Sequence, residues 1–204
     1  MPAVDKPILF DMPDVFYTAR CIIRAPRAGD GQAMYDAVTE SQTEIATWLN
    51  WAINYGPPDE QEALVRRGAA RYALREDFWL LICERESGRL LGTTGLHRLD
   101  WSVPSCEIGY WLRTGETGKG YMTEAVGAVT DIGFGLCAME RIMIRMDVEN
   151  HASRAVAERC GYQFEGILRA VARRTLDDTV RDHRLYSRVR PEWRPSGILR
   201  EGDA

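Results

Sequence analysis

Between Cys106 and Val148 the spacing of apolar residues changes twice, and this constrains the fold more than any other feature of the chain. Cys106 to Leu112 is a short run rich in aromatic and branched residues, suited to a strand. A glycine-bearing loop, Gly115 to Gly120, follows it. From Met122 to Leu136 the residues Met122, Ala125, Val126, Val129, Gly133 and Leu136 fall at i, i+3, i+4, i+7, i+11 and i+14, one stripe along a helix. Arg141 to Val148 then alternates strictly, with Ile142, Ile144 and Met146 set against Met143, Arg145 and Asp147. Strand, loop, helix and strand in that order predict an α/β crossover whose helix lays its stripe on a sheet.

Other segments extend this sheet. Thr18 to Ala25 reads as a strand ending at Pro26, and Asp30 to Glu44 and Gln61 to Leu74 as helices. Phe78 to Glu84 and Arg89 to His97 form a hairpin around Glu86-Ser87-Gly88. Asn150 is placed to cap a helix from Ala152 to Cys160 that Gly161 closes. Final strands are expected near Ala170 to Thr175 and Arg184 to Val189, around Asp177-Asp178. The class is therefore α+β, a mixed α/β sheet. With 204 residues, one domain is expected over 18–193, preceded by an extension, 1–17, and followed by a flexible polar tail, 194–204.

Composition narrows the function. The net charge of −4 is scattered without a basic stripe, which disfavours nucleic acid as a partner. No run approaches 18 apolar residues, so no membrane span is expected, and Met1 to Asp14 lacks the apolar core of a secretion signal. Five dispersed cysteines with no CxxC pair argue against a disulfide framework and a metal site, and suit a reducing, cytoplasmic compartment.

The loop Thr117-Gly118-Lys119-Gly120-Tyr121-Met122 carries the chemistry. Its glycines allow close backbone approach, the helix behind it offers unpaired N–H groups to an anion, and Lys119 adds a charge suited to phosphate. It matches neither the GxxxxGK[ST] phosphate loop nor the dinucleotide GxGxxG. A diphosphate at a helix terminus fits this order of elements.

Three segments together resemble the GNAT acetyltransferases, and most nearly their RimJ/RimL branch, which acetylates N-terminal amines of ribosomal proteins. They are Cys106-Glu107-Ile108-Gly109-Tyr110-Trp111-Leu112, then Gly118-Lys119-Gly120-Tyr121-Met122-Thr123-Glu124-Ala125, then Glu149-Asn150-His151-Ala152-Ser153 with Gly161-Tyr162. The resemblance runs from about Thr18 to Trp193 and includes Trp48-Leu49-Asn50-Trp51. It implies a twisted, mostly antiparallel sheet of about seven strands with about four helices. It also implies acetyl-CoA as co-substrate without a metal, and a primary amine as acceptor. The family's Q/R-x-x-G-x-G/A loop is only partly kept: Gly120 stands at the central glycine, Thr117 and Met122 at two altered positions.

The resemblance also assigns residues. Tyr110, Trp111 and Leu112 would lie beside the pantetheine arm and polarise the thioester carbonyl, and Thr117, Gly118, Lys119, Gly120, Tyr121, Met122 and Thr123 would hold the diphosphate. Asn150 reads as helix cap and as pantetheine donor. The tyrosine acid of many relatives is replaced by Ala157, which leaves Ser153 to protonate the departing thiolate. Glu107 is the first choice of base, through water, or else the partner of a neighbouring basic residue. Trp48 and Trp51 read as core or as acceptor wall, and His97 as pocket lining or as a structural histidine. Deprotonating an α-amine at neutral pH costs about 1 kcal/mol, against about 4.6 for a lysine. Two alternatives stand beside amine acetylation: an acyl-CoA-binding domain without catalysis, and a transferase of another acyl group such as succinyl, for which Arg98 and Arg113 are the available cations. A homodimer is among the expected assemblies.

Overall fold

The computed structural model describes residues 6–174 and 176–199. Eight strands form one sheet in the order β1-β2-β3-β4-β5-β6-β8-β7. The first five, β1 (Val15–Tyr17), β2 (Cys21–Arg24), β3 (Phe78–Glu84), β4 (Leu90–Asp100) and β5 (Ser105–Leu112), are antiparallel neighbours. β5 pairs in parallel with β6 (Arg141–Asp147), and the crossover between them carries helix α4 (Tyr121–Asp131). β8 (Thr179–Val189) pairs antiparallel with both β6 and the edge strand β7 (Gln163–Arg174).

Alternation along the strands builds two cores. Leu80 and Ile82 of β3 join Leu96, Ile108 and Ile142 in packing against Val126 and Val129 of α4 and Ala157 of α5 (His151–Arg159). Leu81 and Cys83 face the other way, onto α1 (Gly31–Glu40), α2 (Gln42–Trp48) and α3 (Pro58–Ala73), with Met34, Val38, Ile45 and Val65. Each fully buried aliphatic side chain contributes about 1.5–3 kcal/mol, so the two layers fix the sheet between them.

The sheet has one strand and the chain one helix more than expected, for local reasons. Thr18 Oγ1 accepts from the Cys21 amide at 2.9 Å, so the strand expected from Thr18 starts only at Cys21, as β2, and this turn joins it to an extra strand, β1, in the segment expected to be an extension. Buried Ser41 accepts from the Thr114 amide at 2.9 Å and leaves helical geometry at φ −121°, so the first helix breaks into α1 and α2. β7 is far longer than expected because bulges at Phe164/Gly166 and Leu168/Ala172 scramble its alternation. Thr175, at the end of one expected strand, lies outside the described residues.

The described residues that flank the expected domain, within 6–17 and 194–199, also pack. Met12 and Phe16 join the core. After residue 193, Ser196 donates its amide to Asp131 at 3.0 Å and Ile198 lies against the core, so the chain is anchored through this stretch.

Candidate active site

β5 and β6 pair only at Ser105, Cys106 and Glu107 with Arg141, Ile142 and Met143, although β5 runs on to Leu112 and β6 to Asp147. β5 meanwhile stays on β4 as far as the pair Gly92–Leu112. The two parallel strands therefore splay, and a wedge opens at the middle of the sheet. The Arg113 amide donates back to Leu91 at 2.8 Å. Antiparallel alternation then turns the amides of Leu112 and Tyr110 away from β4, into the wedge.

The glycine loop sits at the mouth of this wedge, ahead of α4. Gly118 (φ +75°) and Gly120 (φ +85°) are left-handed, a conformation that disfavours any side chain with a Cβ. Gly120 caps α4 with no side-chain bond. Among the described residues, the amides of 118–123 meet no acceptor. Six consecutive donors at a helix terminus make a cradle for a diphosphate. Side chains contribute less here than the sequence suggested: Lys119 Nζ binds Glu116 at 2.9 Å, and Thr117 Oγ1 donates to the Thr114 carbonyl at 2.7 Å. Arg20, which the sequence did not single out, braces the loop by donating to the Lys119 carbonyl at 2.9 Å. Its guanidinium also pairs with Glu124. Burial opposes ionisation of Glu124, but bonds from Thr18 and Arg20 outweigh it and hold the carboxyl below its ordinary range.

Across the wedge, Asn150 Oδ1 accepts from the Ser153 amide at 2.9 Å and caps α5, as its position predicted. The Ser153 hydroxyl lies 2.9 Å from the Tyr110 hydroxyl. Burial raises the Tyr110 phenol above its usual value, against the opposing effect of Ser153, so Tyr110 stays protonated at neutral pH. A buried phenol thus backs the serine from β5.

On the other face of the sheet a groove of about 940 Å³ lies between α3, the segment after α2 and strands β3 to β5. Trp51, Tyr55, His97, Tyr110 and Trp111 line it. Trp51 meets Trp111 edge-on at 6.2 Å and Tyr55 at 5.8 Å. Trp48 ends α2, exposed and outside this lining. His97 Nδ1 lies 3.0 Å from both carboxylate oxygens of Asp77, a residue that no sequence pattern singles out.

Glu107 is opposite His97 on the β4–β5 ladder but outside the groove lining. Its Oε2 accepts from Arg98 at 2.7 Å and from Arg145 at 2.9 Å. Of its two sequence readings, the structure displays the ion pair. Arg98 is left-handed (φ +53°) at a bulge beside His97, a strained position next to the groove. Arg113 is buried and committed, its Nε donating to the Leu90 carbonyl at 2.7 Å and its Nη1 to Glu40. Of the two arginines considered for an acyl carboxylate, Arg113 is thus taken up inside the fold, while Arg98 is exposed and bonds Glu107 through Nη1. All five cysteines are free thiols, and burial pushes those of Cys21 and Cys160 up to about 11. None lines the groove. Among the described residues no cluster of metal-ligating side chains occurs.

A wedge between parallel strands, an open cradle of amides and an aromatic groove against the same strand define an acyl-coenzyme A transferase fold. Residues 20–163 match the family model of the acetyltransferase (GNAT) domain. The chain is 30% identical over 174 residues to YdaF of Bacillus subtilis (strain 168), a candidate ribosomal N-acetyltransferase, covering 84% of this chain and 92% of that one. It is 26% identical over 156 residues to the ribosomal-protein-serine acetyltransferase of Escherichia coli (strain K12), covering 76% and 85%. The coenzyme A complex of RimL, a ribosomal L7/L12 α-N-protein acetyltransferase, superimposes with a TM-score of 0.80 at 20% identity, over 86% of this chain and 97% of that one, a likeness of fold. This chain belongs to the GNAT acetyltransferases. It transfers an acetyl group from acetyl-CoA to an amine.

Proposed function

We propose that the acceptor is the α-amino group of a protein N-terminus, acetylated in the cytoplasm by direct attack on bound acetyl-CoA. The observation that carries this is the groove, which opens onto Tyr110 and Trp111, the strand whose far edge faces the wedge. At about 940 Å³ and walled by Trp51 and Tyr55, it has room for the first residues of a polypeptide. The names of the relatives favour the same acceptor. An α-amine also asks little of the enzyme, because its deprotonation at neutral pH costs only about 1 kcal/mol.

The geometry supports a role for each residue. The amides of 118–123 hold the diphosphate, Asn150 and the wedge-facing amides of Tyr110 and Leu112 hold the pantetheine and thioester, and Trp51 seats the acceptor. Donors aimed at the developing oxyanion contribute roughly 3–4 kcal/mol. Ser153, backed by Tyr110, protonates the leaving sulfur. With no cysteine in the groove to form an acyl-enzyme, the amine attacks directly. A screen of peptides differing at residue one against polyamines, free amino acids and aminoglycosides, with released coenzyme A as readout, tests the acceptor. Peptides are expected to turn over fastest; preference for a small amine would reassign it.

A further inference from the structure

A carboxylate only accepts hydrogen bonds, so the contact of His97 Nδ1 with Asp77 at 3.0 Å places the ring proton on Nδ1. In the neutral imidazole, Nε2 then offers a lone pair. Among the described residues Nε2 has no hydrogen-bond partner. The ring lies over the cross-strand pair Gly95–Gly109, where a Cβ on Gly95 would come within 3.0 Å of Nε2 and one on Gly109 within 3.2 Å of Cδ2. Two glycines thus make room for an imidazole above the strand that borders the wedge. Asp77 directly precedes β3, is 13% exposed at its side chain, and has Arg71 of α3 at 3.7 Å. The other charged groups around His97 are Arg67 and Glu60 of α3 in the groove, and Glu107 opposite it, which Arg98 and Arg145 neutralise.

We propose that His97, positioned by Asp77, is the base that removes the proton from the attacking amine. This rests on the acetyl-transfer reading. The amine nitrogen bonds to the thioester carbon, and the carbon–sulfur bond breaks with its electron pair leaving on sulfur. The surplus proton on nitrogen passes to Nε2, and Asp77 stabilises the resulting imidazolium. That proton returns to water through the groove; the sulfur takes its own from the Ser153 hydroxyl, which recovers one from water once coenzyme A has left. Asp77 is a positioning residue, because it acts only through the ring.

Two measurements on the full chain decide this. The first is ring-nitrogen NMR with coenzyme A bound, assigned through single substitutions of the three histidines. A proton on Nδ1 of His97 sustains the proposal, and one on Nε2 overturns it. The second is the pH profile of kcat/KM with the acceptor preferred in the screen. His97→Gln is expected to lower kcat/KM by about 100-fold or more and erase the acidic limb, while coenzyme A affinity stays within about twofold. Asp77→Asn should lower it at least about tenfold and move the ring proton. A His97→Gln enzyme retaining a third or more of wild-type kcat/KM, with the limb intact, overturns the proposal. If the wild-type chain binds coenzyme A but acetylates no amine, the acceptor reading falls, and the ring NMR, which needs no acceptor, still decides the dyad.

Discussion

The two sides of β5 are built from different materials. On the wedge side the groups we assign to the ligand are main-chain amides, at 118–123 and on alternate residues of β5. Conformation makes them available, and side chains such as Lys119 and Arg20 are occupied in bracing the loop. On the groove side the groups we assign to the acceptor are side chains, Trp51, Tyr55 and the Asp77–His97 pair. Backbone recognition suits a co-substrate that never changes. Side-chain recognition suits an acceptor that differs from one relative to the next, because a groove can be refitted without disturbing the sheet.

The largest effect should come from attacking the backbone side. A Gly118→Val, Gly120→Val double variant forces two branched residues into the left-handed region, at about 1–2 kcal/mol each. Coenzyme A affinity by calorimetry should fall about 30- to 1000-fold with the fold intact by circular dichroism. Equal affinity would mean that side chains hold the cofactor, and the contrast between the two sides would be lost.

That contrast also explains what the sequence could disclose. The glycine loop and the Asn150 cap are local patterns that stand where their spacing put them, and the helix stripe is buried from Met122 to Gly133, but α4 ends at Asp131 in a π turn that leaves Leu136 exposed. Asp77 is different. Counting back from the hairpin turn, where Cys83 pairs with Leu90, would set Glu76 opposite His97. A bulge between Ile82 and Cys83 shifts the register so that Phe78 pairs with Leu96, which brings Asp77 opposite the histidine instead. Nothing in residues 78–84 announces that bulge, so the partner of His97 could not be read from spacing. The Glu107 arginines escaped for a related reason: Arg145 reaches it across a parallel pairing 38 residues away in sequence.

Smaller effects separate the two sides more finely. Ser153→Ala should lower kcat about tenfold and leave both KM values alone, since a thiolate is already a fair leaving group without its donor. Tyr110→Phe should cost less, and the double variant should cost less than the product of the two, because both act on one proton. Fully multiplicative losses would show the two hydroxyls working separately. On the groove side, Trp51→Ala should raise the acceptor KM about two- to tenfold, the value of its aromatic contacts, with acetyl-CoA KM unchanged. A matching rise for acetyl-CoA would place Trp51 in the sheet's support and not in the acceptor wall.

The smallest expected effect is the most informative about the base. Glu107→Gln keeps the side-chain shape and one acceptor oxygen for Arg98 and Arg145, whose bonds at 2.7 and 2.9 Å now converge on a single carboxylate oxygen. That oxygen is already taken by the two guanidinium groups, and Glu107 lies outside the groove lining where the acceptor is proposed to sit. Activity should therefore stay within about threefold of wild type, the scale of a partly exposed ion pair, with the acidic limb of the pH profile where it was. A loss of about 100-fold together with that limb would have the opposite meaning. It would make Glu107 the proton acceptor after all, reduce the Asp77–His97 pair to support for the strand, and move the catalytic side chain from the groove to the head of the wedge.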